Sequence, residues 1–174
     1  YTGEMNENVV NASVSLTHTD SDNYWSAAIN YNFSAIVNSK NLTGFVELFY
    51  NGFGLSGDSH SVLDVLGQPD LFRRLERGEL FTIGKYYLAT GGVLEVTPLF
   101  NLTPTLFINL GDQSALLQFS GTYNLKQNLD LLAGINLPTG DDGTEYGGLY
   151  GTEPDEEQLL APGRMLFARL AWYF

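Results

Sequence analysis

From Val9 onward the chain alternates. Val10, Ala12, Val14 and Leu16 are apolar, whereas Asn11, Ser13, Ser15 and Thr17 between them are polar, and this period of two is the mark of a half-buried strand. A turn-forming cluster follows at His18 to Asn23. A second strand then sets Trp25, Ala27, Ile29, Tyr31, Phe33, Ala35 and Val37 against Ser26, Ala28, Asn30, Asn32 and Ser34. The third sets Leu42, Gly44, Val46, Leu48 and Tyr50 against Thr43, Phe45, Glu47, Phe49 and Asn51. The alternation stops over 54–80, a long connection in which Pro69 to Gly78 reads as a short helix with Pro near its start and Gly at its end. It resumes in a fourth strand, Tyr86 to Leu99, with Leu94 and Val96 opposite Glu95 and Thr97 and with Gly91-Gly92 expected to mark a bulge or bend.

Three more strands follow at short intervals. Leu106, Ile108 and Leu110 oppose Thr105, Phe107 and Asn109; Ala115, Leu117, Phe119, Gly121, Tyr123 and Leu125 oppose Gln118, Ser120, Thr122 and Asn124; Leu129, Leu131, Ala133, Ile135 and Leu137 oppose Asp130, Gly134 and Asn136. A second long connection, Pro138 to Gly163, carries seven acidic residues between Asp141 and Glu157 and leads into a terminal strand. That makes about eight strands in one all-β, antiparallel domain spanning 1–174. Residues 1–8 are polar and are expected to fray or to belong to a preceding connection. Both long connections fall at the same end of the strands, and the polar face of the second strand is too uncharged for a soluble surface, where Lys and Glu would be expected.

The terminal strand is apolar at Leu166, Ala168, Leu170, Trp172 and Phe174, with Arg169 and Tyr173 interleaved, and its last side chain is an aromatic. This resembles the C-terminal signature of Gram-negative outer-membrane β-barrels, in which a terminal Phe and alternating apolar residues form the closing strand. The resemblance implies a transmembrane β-barrel integral to the bacterial outer membrane. Its implied partners are outer-membrane lipid, lipopolysaccharide and the barrel assembly machinery, which reads Leu166, Ala168, Leu170, Trp172 and Phe174 as its signal. The one-sided loop lengths fit short periplasmic turns and longer extracellular loops. So do the aromatics: Trp25, Tyr50 and Tyr86 fall near one end of their strands, and Phe33, Phe100, Tyr123, Trp172 and Phe174 near the other.

Composition narrows the function further. There is no cysteine, hence no disulfide framework and no thiol chemistry. A net charge of −12 leaves no basic patch for a nucleic acid. The inward charges Glu47, Lys85, Glu95, Asp130 and Arg169, with Asn136, are the candidate lumen-lining residues. Asp130 and Arg169 are open to two readings, a neutralising pair or part of a pore lining. The cluster Arg73, Arg74 and Arg77 is a candidate loop constriction or phosphate-facing site, set against simple exposure beside Asp70, Glu76 and Glu79. Some barrels of this kind use a Ser-His pair in catalysis, but His18 and His60 read as solvated loop residues, so neither an enzyme nor a cofactor or metal is expected. The expected function is a porin-like pore for passive passage of small solutes; the alternative is a closed eight-stranded structural or adhesive barrel. The small Ser, Asn and Thr side chains of the polar face fill a narrow lumen badly, so the chain is expected to be the C-terminal portion of a larger barrel, joined by the N-terminal remainder of the same wall.

Overall fold

A computed structural model describes residues 2–5, 8–20, 22–151, 159–160 and 162–173. One antiparallel sheet begins with a short strand, β1 (Thr2–Met5), and continues through β2 (Asn8–His18), β3 (Asn23–Val37), β4 (Lys40–Tyr50), β5 (Tyr86–Thr97), β6 (Phe100–Asn109), β7 (Ala115–Lys126) and β8 (Leu129–Thr139). A small separate hairpin, β9 (Leu149–Tyr150) with β10 (Leu159–Leu160), precedes the last long strand, β11 (Met165–Trp172). Every long strand pairs with its neighbour in sequence, and β11 pairs with β8. At one end of the sheet the connections are tight; the one at Asn38 and Ser39 has φ of 49° and 61°, the successive left-handed residues that suit a two-residue hairpin. The connections 51–85 and 140–164 both lie at the other, loop end.

Two expectations need correction. Thr2–Met5 are neither frayed nor a connection, because they pair with Asn8–Asn11 as an added edge strand. Gly91 and Gly92 keep a regular register, and the bulge lies at Val96, between the pairs Glu95–Asn101 and Thr97–Phe100. The two glycines serve close approach instead: a Cβ on Gly92 would fall 2.6 Å from the Thr43 carbonyl oxygen, and one on Gly91 3.1 Å from the Phe45 ring. The sheet itself is not closed. Among the described residues β11 pairs on one side only, and no pairing joins it to β1 or β2.

Directly paired residues share a face of a sheet, so the register sorts the side chains. One row runs Val10, Tyr31, Val46, Thr90, Leu106, Leu117, Leu137, and every neighbouring row on that face is as apolar. The charges paired into this face are Lys40 and Lys126, each at a strand terminus at the turn end. Nothing among the described residues covers it: Val14 is 70% exposed and Leu170 61%. The buried apolar side chains Phe53, Val65, Leu71, Ile83 and Tyr87 lie instead in the 51–85 connection and at the start of β5. Aromatic rings lie over cross-strand glycines on the apolar face, Phe33 on Gly44 and Phe100 on Gly121, where a Cβ would fall 2.5 Å and 2.9 Å from the rings. No helix among the described residues is long and apolar enough to cross a membrane, which says nothing of strands.

Candidate functional site: the polar face and its loop-end cap

The opposite face mixes amides and hydroxyls with apolar side chains such as Phe45, Phe107 and Phe167. Its middle row runs Asn32, Phe45, Gly91, Thr105, Gln118, Asn136, Met165, without a charge. Gln118 donates to the Asn136 side chain at 3.1 Å, and a hollow of about 300 Å³ opens between Thr103, Ser120 and Phe167 beside this pair. Charges flank the row. Glu47 accepts from Asn30 at 3.2 Å on the loop-end side, and Glu95 accepts from Asn41 at 2.7 Å near the turn end. Although β4 and β5 are neighbours, Glu47 pairs with Ala89, six positions from Glu95, so the two carboxylates stand roughly 20 Å apart along the strand.

Asp130 and Arg169 share this face too, paired with Ala171 and Leu132 respectively. They do not neutralise each other, because the ion pairs among the described residues all lie on or just after the helix at 69–76. Lys85 is not in a strand. It sits in the bend before β5, where its carbonyl accepts from Asn51 N at 2.8 Å. The face of β11 that carries Leu166, Ala168, Leu170 and Trp172 is the apolar one, and Phe174 lies outside the described residues.

At the loop end, the 51–85 connection contains two helices, α1 (Val62–Leu66) and α2 (Pro69–Glu76). α1 was not foreseen, though Ser61 and Asp64 form a reciprocal capping box at its start. α2 begins on Pro69, as Pro at a first turn should, and Gly78, with φ +67°, follows its end. The helix docks through Asp70, whose carboxylate accepts from Thr19 Oγ at 3.0 Å, Tyr24 OH at 3.2 Å and Arg73 at 2.8 Å. Burial works against this charge, but the three hydrogen bonds and the Arg73 guanidinium outweigh it and hold the carboxyl below its ordinary range. Arg74 lies 4.1 Å over the Phe53 ring, which stacks on Tyr24, and bonds Glu79 at 2.7 Å. Arg77 reaches the same Glu79 at 3.7 Å. The arginines are thus paired locally, with Asp70 and Glu79, as their acidic neighbours suggest.

Because Asp70 has a lowered folded pKa, its contribution is present above the ordinary carboxylate range and is lost as pH falls through the lowered value. The expected result is that amides of α2 lose hydrogen-exchange protection in acid, and that Asp70→Asn gives the same loss at neutral pH. Unchanged α2 protection in the variant at neutral pH would show that Asp70 does not anchor the helix.

The second long connection folds onto the polar face beside it. Glu145 accepts from Tyr87 OH at 2.6 Å and Asn109 Nδ2 at 2.9 Å, both polar-face positions at the loop end of β5 and β6, and from Ile83 N at 3.1 Å. Its own N–H donates to Asp112 at 2.7 Å, and Asp112 in turn accepts from the fully buried Ser114 through Oγ at 2.7 Å. Burial pushes the Glu145 carboxyl up, against the three hydrogen bonds that favour its charge, and the Asp112 carboxylate adds to the rise. In sequence Glu145 is one of the seven acidic residues of the second long connection. The signal that separates it is local: Glu145 stands alone in Gly143-Thr144-Glu145-Tyr146-Gly147, whereas Glu153 to Glu157 cluster and lie outside the described residues.

The histidines divide. His18 Nδ1 pairs with Asn23 Oδ1 at 2.9 Å in the exposed β2–β3 turn. His60 is buried, not solvated; its N–H donates to Gly143 at 2.7 Å and its carbonyl accepts from Tyr150 N, so it splices the two long connections together. Neighbouring Ser61 gives its hydroxyl to Asp64 at 2.8 Å. Among the described residues no group of three or more His, Asp or Glu side chains is placed to hold a metal ion. No protein-family model, curated protein or solved structure matches the chain.

Proposed function

We propose that this chain is wall of a transmembrane β-barrel of the bacterial outer membrane, and that its polar face lines a porin-like pore for passive passage of small solutes. The observation that carries the reading is the two-faced sheet: an apolar face uncovered among the described residues and charged only at strand ends, backed by a face where amides and hydroxyls are interspersed with aromatics and few charges. In water such an apolar expanse is an aggregation surface; against lipid it is the lowest-energy arrangement. Aromatics bracket it, with Trp25, Tyr50 and Tyr86 at the loop end and Phe33, Phe100, Tyr123 and Trp172 at the turn end. Trp25 and Phe33 are eight positions apart, about 27 Å along the strand and roughly 20 Å along the normal at the usual tilt, close to the thickness of a lipid-facing band.

Closure requires partner strands for the outer edge of β11 and for β2 beyond the reach of β1. Since neighbours alternate in direction, β11 and β2 run oppositely and accept further antiparallel strands of the same wall, supplied by an N-terminal remainder of the barrel. The alternative, a structural barrel without a pore, is favoured by one observation: Glu145 ties the 140–151 loop across the loop end of the polar face. Planar-bilayer recording separates them. The expected result is ohmic conductance steps, with Glu47→Lys shifting the reversal potential toward anions; lipid-incorporated protein without conductance would favour the structural barrel, and failure to partition into lipid would defeat both.

A further inference from the structure

We propose that the 140–151 loop is an acid-tightened latch, held against the polar face through Glu145. Three separate elements meet at this one carboxylate: Tyr87 from β5, Asn109 from the end of β6, and the backbone of Ile83 from the 51–85 connection. The latch itself is independent of whether the sheet encloses a pore. Two further bonds fasten the loop, from Glu145 N to Asp112 and from Tyr146 N to Ser114 Oγ at 3.2 Å. Asn109, Ser114 and Thr144 are almost entirely buried, and no described buried side-chain N or O atom lacks a hydrogen-bond partner. A satisfied network of this kind offers nothing to a ligand. What it does contain is a negative charge without a cation, since the described ion pairs all belong to the α2 region.

The groups facing Glu145 are Tyr87 on β5, Asp112 in the β6–β7 turn and Tyr146 on its own loop; His60 meets the same loop at Gly143 through backbone. Each nearby ionisable side chain either repels a second negative charge or stays neutral. Burial and Asp112 raise the folded pKa of Glu145 above its unfolded value, so the docked loop binds the proton more tightly than the free loop. Docking is therefore strongest below the ordinary carboxylate range and weakens as pH rises through the raised value. This is the opposite of Asp70 on α2, which supplies an internal comparison in the same molecule.

The test is hydrogen exchange of the amides of Ile83, Glu145 and Tyr146, read as protection factors across acid to mildly alkaline pH on the full chain in detergent. Wild-type protection is expected to fall as pH rises, by up to about tenfold per pH unit within the window. Glu145→Gln keeps an acceptor without the charge and is expected to stay docked with a flat profile, while His60→Gln keeps the wild-type slope. Should Glu145→Gln fail to fold, Asp112→Asn serves in its place, with its window displaced to lower pH. A flat wild-type profile, a slope retained in Glu145→Gln, or a slope lost in His60→Gln would overturn the latch.

Discussion

Replacing Ile135 with Arg destabilises the chain in lipid vesicles by roughly 2–4 kcal/mol, whereas Leu132→Glu, on the other face of the same strand, is tolerated. Ile135 lies mid-strand on β8 between Phe119 of β7 and Leu166 of β11, in the apolar face that nothing among the described residues covers. Leu132 points to the opposite face between Thr122 and Arg169. An Arg at Leu132 would stand directly across from Arg169 and meet a like charge, a cost of roughly 0.2–1 kcal/mol, which is why Glu is the better control. Refolding titrations supply the measurement. Equal costs at Ile135 and Leu132 would mean that the two faces do not divide lipid from water, and the membrane reading would go with them.

Leu71→Ala is the second large effect, about 2–4 kcal/mol, and it is confined to the loop-end cap. Leu71 is 1% exposed, the most deeply buried apolar side chain described, and it sits on α2 next to the Asp70 anchor. Phe72, its larger neighbour, is 38% exposed, so Phe72→Ala costs less despite removing more atoms. Hydrogen exchange distinguishes a local from a global effect: amides of α2 are expected to lose protection while those of β6 to β8 keep theirs. Loss spread evenly over the strands would show that the cap and the sheet unfold as one unit.

The strand faces were legible because a period of two is a local property: each of Val10 to Leu16 and Leu129 to Leu137 declares its side without reference to any other segment. Features that depend on a distant neighbour were not. Gly91-Gly92 looks like a bend in isolation, yet the glycines are there for Phe45 and the Thr43 backbone, and the bulge falls at Val96, which carries no special residue. Thr2–Met5 show no alternation and become a strand only because β2 offers an edge. α1 is too short for a helical period, and its Ser61–Asp64 box was its one local sign. His60 reads as polar and exposed until the second long connection closes over it.

The same division runs through the candidate site. By itself the sequence determined an antiparallel all-β chain with one apolar and one polar face, short turns at one end and long connections at the other, since these follow from side-chain periodicity and turn chemistry within a few residues. Only the tertiary structure decided that the sheet stays open in this chain, that Asp130 and Arg169 share a face without pairing, and that Glu145 leaves the acidic run to join Tyr87 and Asn109, which lie 58 and 36 residues away. The physical reason is the range of the interactions. Alternation is dictated by the backbone between adjacent residues, whereas the partner of a buried carboxylate is set by which distant donors the strand register brings within hydrogen-bonding reach.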